Sequence, residues 1–133
     1  MVMPRFSQTS RDILSTCHPD LQVLFLHVVK TFDCSVITGH RKKSVQNELF
    51  EIGRTQLKYP KSKHNSDPSM AVDVAPYPIN WGDINRFYYF AGYVKGIANE
   101  LNFNIRWGGD WDNDTQIKDQ TFIDLPHYEL RSK

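Results

Sequence analysis

Apolar residues fall at helical spacing in two long stretches of the chain. Leu21, Leu24, Phe25, Val28 and Val29 follow the i, i+3, i+4, i+7, i+8 rule that turns one stripe of a helix toward a core. Pro19 suits the first position of that helix, where its missing N–H is not needed. Ile84, Phe87, Tyr88, Ala91, Val94, Ile97, Ala98 and Leu101 make the longest stripe, with Asp83 placed to cap its start and Asn102 to end it. Gly92 and Gly96 lie on this helix four apart; they weaken its propensity and predict a close approach to a neighbour. A short opening helix is expected over 7–16. Another is expected from about Ser44, with Val45, Leu49 and Ile52 on its buried face, Gln46 pointing away and Gly53 as its stop.

Between the helices lie short segments of a different kind. Residues 34–38, 71–75 and 105–107 are strand candidates. In the second of them Val72 and Val74 point one way, and Ala71, Asp73 and Ala75 the other. Pro126 cannot donate to a sheet ladder, so a last strand begins at His127. Helices and strands alternate irregularly, which predicts an α+β domain with helices packed on a small, mainly antiparallel sheet. At 133 residues, 40% hydrophobic and 23% charged, residues 1–133 read as a single domain with a real core.

Asp73 is the residue that changes the picture. A carboxylate in an apolar strand is costly unless its charge is compensated, and the flanking alanines leave room for a partner. His64 in the preceding polar loop and His127 at the start of the last strand could join it. Two histidines and an aspartate make a three-ligand zinc site with a position left open for water. Asp124, in the turn before His127, is then a carboxylate suited to act as general base. Glu129, two residues past His127, shares its strand face and could orient it. Arg41 stands in a basic turn, His40-Arg41-Lys42-Lys43, after a strand end.

These residues stand in the pattern His64…Asp73…Asp124-Leu125-Pro126-His127. With Thr38-Gly39-His40-Arg41, Gln46-Asn47 and Trp107-Gly108-Gly109-Asp110-Trp111, the pattern resembles the LAS group of zinc peptidases, peptidase family M15. Within that group it is most similar to single-domain phage endolysins that cut the L-alanyl–D-glutamate bond. The resemblance spans roughly residues 10–130. It implies a Hedgehog/DD-peptidase-like fold, Zn²⁺ on His64, Asp73 and His127, and catalytic roles for Asp124 and Arg41. Gln46 is expected to help hold Arg41 or substrate and Trp107 to form one wall of the substrate cleft, and the resemblance makes bacterial peptidoglycan the partner. One departure is visible. The usual H-x6-D spacing is longer here by two residues, and Ser69 stands near the expected glycine. The same fold also hosts D-Ala-D-Ala carboxypeptidases, and a wall-peptide binder without catalysis is a further alternative.

Charge and hydropathy narrow the rest. Lys+Arg 16 against Asp+Glu 15, a formal net charge of +1, gives no basis for nucleic-acid binding. No run approaches the roughly 18 apolar residues of a membrane span. The N-terminus lacks the apolar core of a signal peptide. The expectation is a monomer kept in the host cytoplasm until lysis releases it to the periplasm and wall. Cys17 and Cys34 lack metal-type spacing and are expected to be buried thiols. Asp110, Asp112 and Asp114 are spaced like the start of an EF-hand, but Thr115 replaces its glycine and Thr121 its final glutamate.

Overall fold

The computed structural model describes residues 3–131. In chain order the elements are α1 (Gln8–Leu14), α2 (Pro19–Val29), β1 (Cys34–Thr38), α3 (Lys43–Glu51), a 3-10 turn (Lys63–Asn65), β2 (Ala71–Pro76), α4 (Ile84–Glu100), β3 (Ile105–Trp107) and β4 (His127–Leu130). The strands form one four-stranded sheet in the order β1-β2-β4-β3. Every neighbouring pair is antiparallel. The domain is α+β, as its alternation of patterns predicts.

The pleat divides the sheet into two faces. Val72 and Val74 of β2, Tyr128 and Leu130 of β4, and Ile105 and Trp107 of β3 are buried in one core cluster. Helix α2 contributes Leu21, Leu24, Phe25 and Val28 to that core, all fully buried. Each such side chain brings about 1.5–3 kcal/mol of burial. Phe25 and Phe90 of α4 meet Tyr128 edge to face, with ring centroids at 5.4 and 6.3 Å. Alternation then turns Asp73, His127, Glu129 and Arg106 to the opposite face. The register sets Asp73 opposite His127 and Arg106 opposite Glu129. Polar side chains from β2, β4 and β3 are thereby brought side by side.

Two expectations are corrected. Helix α3 is rotated from its predicted orientation: Gln46 is fully buried, while Val45 is 39% and Ile52 61% exposed. The reason is polar satisfaction. Gln46 Oε1 accepts from Arg41 Nη1 at 3.0 Å and Asn65 Nδ2 at 3.2 Å, and its Nε2 donates to the Leu57 carbonyl at 2.5 Å. An amide so well partnered costs little to bury. Gly92 and Gly96 do not mediate a close approach, because a Cβ on either would meet nothing within 4 Å. They lie on the outer face of α4. The helix packs instead through Phe87, Phe90, Ala91, Val94 and Ala98.

Candidate metal centre and active-site cleft

His64 is fixed by a small set of local bonds. Ser62 caps the 3-10 turn by accepting from His64 N at 3.2 Å, and Asn65 Oδ1 accepts from Ser62 N at 3.1 Å. Asn65 Nδ2 donates to the Arg41 carbonyl at 2.9 Å, and Arg41 N donates to the His64 carbonyl at 2.7 Å. The loop between His64 and Asp73 bulges away from the site: residues 66–68 are exposed. Ser69 ends the bulge in a buried position, its N donating to the Thr16 carbonyl at 2.9 Å. The additional residues therefore leave the two side chains together.

His64 Nε2 lies 3.3 Å from Asp73 Oδ1, and His127 Nδ1 lies 3.3 Å from the same oxygen. One donor atom from each of the three residues falls within 4.8 Å of the others. The remaining ring nitrogens face acceptors. His64 Nδ1 donates to the Gly39 carbonyl at 2.8 Å, and His127 Nε2 donates to Glu129 Oε1 at 2.8 Å. Each bond fixes a tautomer whose other nitrogen can offer a lone pair toward Asp73. A cation-binding donor set fits this arrangement, with two imidazole nitrogens and one carboxylate oxygen converging from separate elements.

Gly39 and Gly108 make room for this geometry. A Cβ on Gly39 would stand 2.7 Å from the Ile13 carbonyl oxygen. A Cβ on Gly108 would fall on the carbonyl of Asp124, with the carbonyl carbon at 2.9 Å and the Asp124 Cβ at 3.0 Å. Gly108 also closes the turn by hydrogen bonds: Asp124 N donates to the Gly108 carbonyl at 2.8 Å, and Gly108 N to that of His127 at 2.8 Å.

The electrostatics follow from the packing. Burial opposes charge on Asp73, but the hydrogen bonds of His127 and His64 win and hold its carboxyl well below the usual range. Burial also opposes charge on His127, yet its bonds to Asp73 and Glu129 lift it to about 9 in the metal-free protein. Asp124 is shifted the other way. Burial and then the charge of Asp73 raise its carboxyl, against the pull of His127, His64 and Arg41. A raised carboxylate beside a candidate metal site suits proton transfer.

A cavity of about 520 Å³ opens on the cluster, with Arg41, His64, Asp73, Asp124 and His127 in its wall. Arg41 Nη2 lies 3.9 Å from Asp73 Oδ2, and its side chain is 14% exposed. Gln46 does not line this cavity; it holds Arg41 from behind. Trp107 is also absent from the wall. Its indole is in the core, edge-on to Tyr88 at 5.4 Å, with Nε1 donating to the Leu125 carbonyl at 2.7 Å. Trp107 is thus corrected from the substrate side to the core, while Gln46 takes the first of its two expected roles, holding Arg41. Trp111 takes the wall position, its ring 5.3 Å from that of His127 and 5.8 Å from that of Phe122.

Asp110, Asp112 and Asp114 also bring carboxylate oxygens within 4.8 Å of one another. Asp110 is committed to its own turn, accepting from Asp114 N at 3.3 Å and Thr115 N at 2.9 Å. Cys17 and Cys34 are free, buried and outside the cavity wall.

Known proteins resemble this chain over nearly its whole length. The chain is 30% identical over 136 aligned positions to the L-alanyl-D-glutamate peptidase of Escherichia phage T5, covering 95% of this chain and 97% of that protein. The crystal structure of the Serratia marcescens L-Ala D-Glu endopeptidase ChiX superposes with a TM-score of 0.75 at 26% identity, covering 96% of this chain and 91% of that one. The family described as phage L-alanyl-D-glutamate peptidase matches residues 1–131, and the chain belongs to that family.

Proposed function

We propose that residues 1–133 act as one catalytic domain, a zinc peptidase that hydrolyses the L-Ala–D-Glu bond of peptidoglycan stem peptides. The observation that carries the reading is the convergence of His64, Asp73 and His127 on one point beside the raised carboxylate of Asp124. In this reading the three residues hold Zn²⁺. When bound, the metal supplies Lewis acidity, acidifying a water and polarising the scissile carbonyl. Asp124 takes the proton of the attacking water on its carboxylate and delivers it to the nitrogen of the leaving D-Glu amine. Its raised affinity for a proton suits both halves of that transfer. Arg41, anchored by Gln46, offers its guanidinium to a substrate carboxylate or to the oxyanion of the tetrahedral intermediate.

Among the described residues, no helix is long and apolar enough to cross a membrane. The site opens on a cleft, and in this reading its substrate is a polymer outside the cell membrane. We therefore place its action at the wall after lysis begins. The test is digestion of purified peptidoglycan followed by mass spectrometry. New amino termini on D-Glu, with glycan strands uncut, are expected. Release of free D-Ala from a pentapeptide without new D-Glu termini would assign the carboxypeptidase reaction instead. Binding without any cleavage would leave only a wall-peptide binder.

A further inference from the structure

We propose that Arg106 is the positioning residue of the metal centre, holding Glu129 and Trp111 so that His127 presents Nδ1 to the cation. The inference rests on the reading of His127 as a metal ligand. Arg106 lies on β3, one strand away from His127, and touches none of the three candidate ligands. It acts through Glu129. Arg106 Nε and Nη2 both donate to Glu129 Oε2, at 3.1 and 2.8 Å. That leaves Oε1 for His127 Nε2 at 2.8 Å. The two carboxylate oxygens thus have separate partners. The guanidinium fork closes on one carboxylate oxygen and pins it, and the other oxygen orients the imidazole.

The same guanidinium reaches the cleft wall. It stacks over the Trp111 ring at 5.5 Å, and Nη1 approaches the Trp111 carbonyl at 3.4 Å. The Trp111 ring leans on His127 at 5.3 Å with an interplanar angle of 34°. His127 is therefore held at one edge by Glu129 and packed by Trp111, and Arg106 anchors both. All of its nitrogens are directed to these two residues. This separates it from Arg41, which faces the Asp73 side of the cavity. Lys63 is a second cation near Glu129, with Nζ at 3.4 Å from Oε2, and it also donates to the Leu130 carbonyl at 2.5 Å. Charge neutralisation of Glu129 therefore survives loss of Arg106. What disappears is the fork.

The experiment compares Arg106→Met, Arg106→Lys, Glu129→Gln and the Arg106→Met/Glu129→Gln double variant. Zinc affinity is read by competition with a chromophoric chelator, alongside kcat, KM and the Tm of the metal-free protein. His127→Ala serves as the ligand control. Arg106→Met should weaken zinc binding by about 10–100-fold, the usual effect of losing a group that orients a ligand. KM should stay close to the parent while kcat falls. Arg106→Lys should recover only part of the affinity, since an ammonium keeps charge without the fork. The double variant should be no worse than the weaker single one, because both act along one chain. Parent-like zinc affinity in Arg106→Met overturns the proposal, as does full additivity with Glu129→Gln. A rise in KM with affinity intact overturns it too, making Arg106 a substrate contact. If Arg106→Met does not fold, the Arg106→Lys affinity decides alone. Parent-like zinc binding by His127→Ala overturns the ligand reading itself, and this proposal with it.

Discussion

Gly108→Ala tests whether Asp124 must sit where its turn holds it. The added methyl would fall on the Asp124 carbonyl, 2.9 Å from its carbon and 3.0 Å from the Asp124 Cβ. Ordinary carbon contacts lie at about 3.5–4.0 Å, so the turn must retreat by roughly 1 Å. The retreat falls on Asp124 and not on β3, because Trp107 beside Gly108 is only 5% exposed and locked into the core. A misplacement of about 1 Å in a reacting group costs on the order of 100-fold in rate. Overpacking adds about 1–3 kcal/mol of destabilisation. Steady-state cleavage of a stem peptide gives the first quantity, and a urea titration gives the second. Gly92→Ala is the control: its methyl meets nothing within 4 Å on an exposed helix face. It should add about 0.5–1 kcal/mol of stability and leave kcat unchanged. Parent-like turnover in Gly108→Ala, with metal content intact, would refute the placement of Asp124 as the proton carrier.

Three further outcomes follow from the packing. In chelator-treated protein, His127 stands at about 9 because Asp73 and Glu129 outweigh the effect of burial. Its folded value exceeds the ordinary value of about 6.5, so the stability it brings is complete below that pH and is lost as pH rises through 9; urea midpoints should fall across that window, and a flat profile would contradict the ion pairing. Gln46→Leu removes the partner of Arg41, Asn65 and the Leu57 carbonyl. It should cost at least about 1–3 kcal/mol in a thermal melt and lower kcat, since groups left unpaired in the interior are penalised; an unaffected melt would deny the buried network. Trp111→Ala should lower zinc affinity and kcat, by removing the ring packed on His127, while the protein stays folded, whereas Trp107→Ala should lose about 3–5 kcal/mol of stability by emptying a core site; the reverse pairing would mean the two indoles had been assigned to the wrong places.

The parts of the fold legible in the sequence are those where a single period governs many residues. The α2 stripe is buried at each of its five predicted positions. The limits of β1 and β3 and the start of β4 were readable from β-branched and aromatic runs and from Pro126. Asp73 was conspicuous because nothing in an apolar strand explains a carboxylate. The orientation of helix α3 is not legible, because three apolar residues in nine make a weak stripe and three hydrogen bonds to one amide outweigh it. The place of Trp107 in the core and of Trp111 in the cleft wall is hidden for a related reason. Both stand near the Gly108-Gly109 turn, and only the pleat of β3 decides which indole enters the core. That same pleat carries the one signal that could have found Arg106, because residues alternating with Ile105 and Trp107 must face the other side. Its link to Glu129 needs the β3–β4 register, which local sequence does not encode. Gly108 gave no periodic signal at all; its role appears only once Asp124 is folded against it.

One paired measurement separates metal holding from proton transfer. Asp124→Asn and His127→Ala are purified alongside the parent, and zinc per chain is determined together with cleavage of a defined stem peptide. Asp124→Asn and the parent should each carry one zinc per chain, and Asp124→Asn should lose on the order of 100-fold or more in turnover, the cost of a missing general base. His127→Ala should lose both metal and activity. Near-parent turnover in Asp124→Asn, or full zinc loading in His127→Ala, would contradict the account.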